Sequence, residues 1–311
     1  MTAPPNLPLR QAVRRSFERA AATYDEHAFL QREIADRMLE RLQYIRLAPS
    51  RTLDLGCGTG YLTAKLAARD PQAQLLALDL APSMLNHTRQ RLASPGWPGW
   101  PGWPGWLGKL LGAAPTHHAI CADAQLLPLA GESIDLAVSN LTLQWCDPEK
   151  IAREMVRVIR PGGLFMFTSL GPDTLKELRA AFRAVDDKPH VNTFVDMHDI
   201  GDMLVAAGFA DPVMDCEIMT VTYTELMTLM RELKGIGAHN VLPERARGLT
   251  GKTRWAQLAA AYEKFRVDGR LPATYEVIYG HAWRPEVSKR KTVDGQQAIS
   301  LGEFKRMVGR P

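Results

Sequence analysis

The sequence predicts an α/β fold built on a doubly wound, mostly parallel seven-stranded sheet, with a helical cap inserted before the last strand. Three observations carry this. Between Arg51 and Leu170 short apolar runs alternate with helix-patterned ones, as parallel strands joined by crossover helices do. A glycine turn, Gly56-Cys57-Gly58-Thr59-Gly60, directly follows the first of those runs. After Leu170 the alternation stops, and two strand-like runs flank a long helical stretch, which suggests an antiparallel edge carrying a cap.

Taken in order, residues 1–10 carry three prolines and should be mobile. From Gln11 the pattern is helical; Leu30, Ile34, Met38, Leu42 and Ile45 recur at spacings of four and three on one face, and Pro49-Ser50 stops the helix. RTLDL is the first strand, and a helix starts near Tyr61. QLLALDL reads as the second strand, APSMLNHTRQRL as a helix with Pro82 in its first turn, HHAICAD as the third strand and IDLAVSNL as the fourth. The helix IAREMVRVI ends at Pro161-Gly162-Gly163, and LFMFTSL is the fifth strand. Helix is expected from Asp173 through Ala207, strand over PVMDCEIMTVTY, a helical cap over 224–266 and a last strand over ATYEVIYGHAW. One domain therefore spans 11–285, with a cofactor-binding core at 50–170, and a basic, flexible tail fills 286–311. Residues 95–106 are four copies of Pro-Gly-Trp, which forbid helix and ladder pairing and read as a surface insertion.

Composition narrows the function classes. No apolar run is long enough to span a bilayer, and the first residues lack the apolar core of a secretory signal, so a cytoplasmic protein without membrane contact is expected. Cys57, Cys121, Cys146 and Cys216 lie far apart with no Cys/His cluster, which points to reduced thiols and no metal site. Six bases against three acids in 286–311 account for +3 of the formal +4, leaving the body nearly neutral and no case for a nucleic-acid partner.

The chemistry sits at the strand ends. Gly56, Gly58 and Gly60 place a side-chain-free turn at the carboxyl edge of the sheet, where ligands of open α/β folds bind. Asp79 ends the second strand, placed for both hydroxyls of a ribose; Asp123, beside Ala124, ends the third, placed for an adenine amino group. The G-x-G-x-G spacing and the position of Asp54 ahead of the turn argue against a dinucleotide, because Asp54 would repel a pyrophosphate and attract a cationic amino-acid group. Acids at three consecutive strand ends describe a site for S-adenosyl-L-methionine.

At this point the sequence resembles the class I, Rossmann-like methyltransferases, through LDLGCGTG, LALDLAPSML, ADAQLLPL, DLAVSNLTLQW and VIRPGG. The resemblance implies that Gly56, Asp79, Met84, Asp123, Ala124 and Asn140 line the cofactor pocket, with Asp54 bonding the methionine amine through solvent or backbone. FERAAATYDEHAFLQREIADRML, LTLQWCDP and LMRELKGIGAHNV resemble the malonyl-[acyl-carrier protein] O-methyltransferase family of biotin synthesis over about residues 11–284. That family implies methylation of the free carboxylate of a malonyl thioester on acyl-carrier protein or coenzyme A. A complex I assembly factor that hydroxylates arginine shares GPDTLKELR-like and PATYEVIY-like stretches; Gln144-Trp145-Cys146 and Leu233-Lys234-Gly235-Ile236-Gly237-Ala238 favour the methyltransferase. A small-molecule, quinone-type methyltransferase or a non-catalytic cofactor-binding scaffold would carry the same cofactor motifs.

A malonyl carboxylate is already ionised at pH 7, so no general base is expected. Lys234 is the candidate for orienting it, against the alternative of a solvated helix lysine, and Tyr24 for closing over the methyl group. His27, Gln31 and Trp145 are candidates for the substrate pocket, and Cys57 is a small apolar filler. Two basic stretches, Arg10/Arg14/Arg15/Arg19 and Arg245/Arg247/Lys252/Arg254, are candidate docking faces for an acidic carrier.

Overall fold

The computed structural model describes residues 9–93, 117–242 and 251–286, with the backbone of 292–293 and 296–297. The Pro-Gly-Trp insertion, Arg245, Arg247 and most of the basic tail lie outside the described residues. Three helices come first: α1 (Arg10–Ala20), α2 (Tyr24–His27) and α3 (Phe29–Leu42). The core then runs β1 (Arg51–Leu55), α4 (Tyr61–Arg69), β2 (Gln74–Asp79), α5 (Pro82–Ala93), β3 (His118–Cys121), β4 (Ile134–Ser139), α6 (Pro148–Val158) and β5 (Ile159–Leu170). The late part comprises α7 (Lys176–Arg183), α8 (Met197–Ala207), β6 (Ala210–Tyr223), α9 (Leu226–Gly235), α10 (Lys252–Glu263) and β7 (Leu271–Trp283). A two-residue ladder, Thr292–Val293 (β8) with Gln296–Gln297 (β9), follows.

The seven-stranded sheet has the order β3-β2-β1-β4-β5-β7-β6. The first five strands pair in parallel, whereas β7 is antiparallel to both β5 and β6. The reversed strand is thus internal, and β6 is the edge. Both faces are covered, as a parallel sheet requires. On one face Ile34, Met38 and Leu42 of α3 pack with Leu136, Val138, Leu164 and the cap residues Leu229 and Tyr262. On the other, Leu53, Ala137, Phe165 and Phe167 pack with Ile151 and Met155 of α6 and Leu204 of α8. The alternation Leu136/Ala137/Val138 across the two faces is the period of two that a strand imposes.

Local chemistry explains the boundaries. Asp147 caps α6, its carboxylate accepting from the Glu149 and Lys150 N–H groups, with Pro148 in the first turn. Three sequence expectations shift. Helix α3 ends at Leu42, well before Pro49. Strand β5 starts at Ile159 and runs through Pro161-Gly162-Gly163, because the Gly162 N–H donates to Arg284 C=O and the Arg284 N–H to Gly163 C=O, both at 2.8 Å. The helix expected from Asp173 to Ala207 is broken between Arg183 and Met197, where Lys188-Pro189 disfavours helical backbone.

Candidate active site

The parallel strands β1 to β4 end at one edge of the sheet, and a cavity of about 600 Å³ lies beyond those ends, under the cap. The turn after β1 is its floor. The Gly56 and Cys57 N–H groups both donate to Leu78 C=O, at 2.7 and 3.0 Å, which ties the turn to β2. Gly56 has φ +76°, and a Cβ there would fall 2.0 Å from Thr142 Oγ1. Gly58, at φ +55°, has no atom within 4 Å of where its Cβ would be, and it lines the cavity. Its missing side chain leaves room for a ligand against the backbone. Gly60 starts α4 and faces Thr88 instead of the cavity.

Asp79 and Asp123 both line the cavity. Asp79 Oδ2 accepts from the Gly58 N–H at 2.9 Å and Oδ1 from the Ala81 N–H at 2.8 Å. Burial pushes its pKa up and these backbone bonds pull it back, with burial prevailing. Each oxygen keeps a lone pair for a ligand hydroxyl. Asp123 Oδ1 accepts from the Gln125 N–H at 2.9 Å, and its Oδ2 meets the guanidinium of Arg10, which α1 brings over the cavity. Ala124 and Met84 complete this wall.

Asn140, at the end of β4, is held at both ends of its amide: Nδ2 donates to Gln31 C=O at 3.0 Å, and Oδ1 accepts from Thr168 Oγ1 at 2.7 Å. The Leu141 N–H donates to the same Thr168 oxygen at 2.9 Å. That bond helps hold Leu141 at φ +52°, a conformation costly for a side chain with a Cβ. Leu175, also cavity-lining, stands at φ +55°. Such strain at a cavity wall is a feature of functional sites.

Asp54 lies behind the turn, where it accepts from Thr63 Oγ1 at 2.6 Å; burial pushes its pKa up to about 7. It lines a second hollow of about 50 Å³ that shares Tyr24, Gln31, Gly56, Gly58 and Asn140 with the main cavity. Asp54 Oδ1, Gln31 Oε1 and Gln144 Oε1 are buried without a hydrogen bond among the described residues. Burial first, and then the nearby charges of Asp79 and Asp25, push the Tyr24 phenol well above the usual range. Trp145 meets Phe17 edge-to-face, ring centroids 5.3 Å apart, and both line the cavity. Lys234, in the last turn of α9, is exposed at the cavity mouth, with Arg231 one turn earlier on the same helix.

His27 is the correction. It does not line the cavity; its ring lies against Gly235, where an added Cβ would come within 2.0 Å of His27 Cδ2. The imidazole therefore packs α2 on α9. Sequence reading gave no cavity role to Gln144, to Arg231 or to His190. Arg10 was read only as part of a basic run, and its spacing gives no hint that it reaches a strand end.

The residues fit S-adenosylmethionine. The side-chain-free floor at Gly58, two buried acids with open lone pairs, and orphaned buried oxygens at Asp54, Gln31 and Gln144 suit a cationic nucleoside with several donors. Among the described residues no group of three His, Cys, Asp or Glu side chains could hold a metal, and no helix is long and apolar enough to cross a membrane.

Residues 53–167 match the methyltransferase domain family. The chain is 53% identical over 294 residues to a malonyl-[acyl-carrier protein] O-methyltransferase from Laribacter hongkongensis, covering 94% of this chain and 95% of that one. The chain belongs to the malonyl-[acyl-carrier protein] O-methyltransferase family. A second member, from Nitrosospira multiformis, is 52% identical over 89% of both chains. Among solved structures, a putative methyltransferase from Bacillus halodurans aligns with TM-score 0.53 at 16% identity, over 80% of this chain and 98% of its own. YcgJ from Bacillus subtilis aligns with TM-score 0.52 at 15% identity, over 80% and 98%. At that identity the likeness establishes the fold alone. The relatives' match extends beyond the cofactor core, through the cap that walls the rest of the cavity.

Proposed function

We propose that this chain, working in the cytoplasm, methylates the free carboxylate of a malonyl thioester carried on acyl-carrier protein, giving the methyl ester that starts pimeloyl formation in biotin synthesis. One observation carries the reading: identity above half with a malonyl-[acyl-carrier protein] O-methyltransferase holds over 94% of the chain, cofactor core and cap together. A cavity of about 600 Å³ continuous from Asp79 to Lys234 supports it, since it offers room for both reactants.

Bound at the strand ends, S-adenosylmethionine would supply a methyl carbon with a thioether as its leaving group, open to a carboxylate that is already ionised, so no general base is needed. The residues that hold the cofactor are Asp79 for the ribose hydroxyls, Asp123 and Ala124 for the adenine, and the Gly56-to-Gly60 turn for the amino-acid end. Met84 packs the nucleoside, and Asp54 acts on the ammonium through the turn's backbone. Asn140, fixed by Thr168 and Gln31, keeps the fourth strand end rigid, and Tyr24, Gln31 and Trp145 exclude water from the transfer. Asp123 must exchange Arg10 for the ligand. Lys234, at the mouth, draws the anionic substrate in; α1, with Arg14 and Arg15, offers the carrier a basic face.

The test is to give purified protein malonyl-acyl-carrier protein, and separately malonyl-coenzyme A, and to measure S-adenosylhomocysteine release with the mass of the acyl product. Methyl ester formation on the carrier-linked substrate is expected. No release with either thioester, from protein that binds the cofactor, refutes the reading. Lys234→Ala is expected to raise the KM for malonyl thioester several-fold with kcat less changed; an unchanged KM removes Lys234 from the site.

A further inference from the structure

On the cap side of the cavity stands a histidine that takes no part in holding the cofactor or drawing in the substrate. His190 lies in the irregular stretch between α7 and α8, and it lines the cavity together with Phe182. Two contacts fix its ring and a third the backbone beside it. Its Nε2 is 2.7 Å from Asp186 Oδ1. Its plane lies flat on Phe182, 3.8 Å between centroids and 6° from parallel. Its backbone is anchored to the cap through Asn240, whose Nδ2 donates to the neighbouring Pro189 C=O at 2.6 Å. The pair is shielded from water, with the side chains of His190 and Asp186 17% and 15% exposed.

A carboxylate facing Nε2 assigns the ring proton to that nitrogen, because an ionised acid can only accept. The remaining nitrogen, Nδ1, makes no hydrogen bond among the described residues. A ring held this firmly, with one nitrogen committed and one uncommitted at a cavity wall, is built to meet a ligand atom. Stacking on Phe182 also blocks rotation of the ring out of that position.

We propose that His190 is the group that reads the free carboxylate of the substrate: with Nε2–H held by Asp186, its Nδ1 takes up a second proton from solvent as the anionic substrate binds, and donates it in a hydrogen bond to the carboxylate oxygen that does not attack. The inference rests on the proposed malonyl methylation and names the residue that makes it specific for an acid. Lys234 and Arg231 are exposed on α9, where water screens them, whereas His190 sits in a shielded wall, where a hydrogen bond to an anion is screened less. Asp186 is shared with Arg254, whose Nη1 lies 3.7 Å from its Oδ2, so this acid is already paired in the empty site and the wall does not depend on a trapped anion. Once the acid is esterified, the charge that His190 recognises is gone. The same residue therefore separates substrate from product, and a malonyl from a propionyl chain.

The experiment measures binding of malonyl-pantetheine and propionyl-pantetheine to the full chain saturated with S-adenosylhomocysteine, for wild type, His190→Asn and Asp186→Asn. Wild type is expected to favour the malonyl compound. His190→Asn should weaken malonyl binding about tenfold or more, the loss of one charge-assisted hydrogen bond, and leave propionyl binding unchanged. Asp186→Asn should shift the malonyl-to-propionyl ratio the same way by a smaller factor. A His190→Asn ratio equal to wild type overturns the assignment, and so does an equal loss for both ligands, which marks a packing role. If His190→Asn does not fold, an unchanged ratio in Asp186→Asn overturns it alone. Wild type that forms no methyl ester defeats the functional reading and this inference with it; an active wild type with an unmoved ratio in the variants defeats only the histidine assignment.

Discussion

Gly58→Ala separates the cost to the fold from the cost to the cofactor. The added methyl meets no atom within 4 Å, so the fold loses only the left-handed backbone preference at φ +55°. That strain is about 1–2 kcal/mol, a fall in Tm of a few degrees for a chain of this size. In the liganded state the same methyl stands in cavity space that the cofactor must occupy, and overpacking costs about 1–3 kcal/mol, or roughly five- to 150-fold in affinity. Gly56→Ala is the control with the opposite balance, because its Cβ would collide with Thr142 at 2.0 Å before any ligand arrives. Calorimetric titration with S-adenosylhomocysteine, paired with thermal melting of the ligand-free proteins, reads both quantities. Gly58→Ala should melt above Gly56→Ala and still bind several-fold or more weakly than wild type. Wild-type affinity in Gly58→Ala, or a melting point below that of Gly56→Ala, refutes the placement of the cofactor against this turn.

Other expectations follow from single contacts. Asp54 has a pKa of about 7 when folded against about 3.9 unfolded, so ionising it costs the fold on the order of 4 kcal/mol above pH 7 and nothing below pH 4. Asp54→Asn without ligand should therefore melt above wild type at pH 8, with the gap closing as pH falls from about 7 towards 4; a gap independent of pH refutes the shift. Gly235→Ala should destabilise the protein by forcing the His27 ring away, and adding His27→Ala should recover most of the loss; additive denaturation energies would show that the two do not touch. Reversing Arg14 and Arg15 to glutamate should raise the KM for carrier-linked substrate and leave a small thioester analogue unaffected, and equal effects on both remove α1 from docking.

Much of the sheet was legible because its information is local. Leu53 to Leu55 and Leu75 to Leu78 are buried strands whose apolar runs stop at Gly56 and Asp79, so each strand end announced its own position. The glycine floor was readable for the same reason. What sequence did not disclose depends on contacts between distant segments. Arg10 reaches Asp123 across more than a hundred residues, and Gly162 joins β5 only because Arg284 returns beside it. His27 was assigned to the pocket from its neighbours in sequence, yet Gly235, with no side chain, draws the ring onto α9 instead. His190 carries a faint local signal, Asp186 four residues before it, but only the broken helix lets the ring line the cavity.

The ladder between β6 and β7 runs from Ala210 opposite Trp283 to Tyr223 opposite Leu271. Everything between Tyr223 and Leu271 is thus the tip of one long hairpin, whose ends are already fixed by the ladder. The entropy of closing a loop rises only slowly with its length once its ends are held. Changes among the tip's described residues that spare Leu229, Leu258 and Tyr262, which pack in the core, should accordingly cost the sheet little, while the strand ends at Asp79 and Asp123 stay where they are. The part of the cavity wall that the tip contributes, from Met227 to Asn240, can in that sense diverge separately from the strand ends at Asp79 and Asp123.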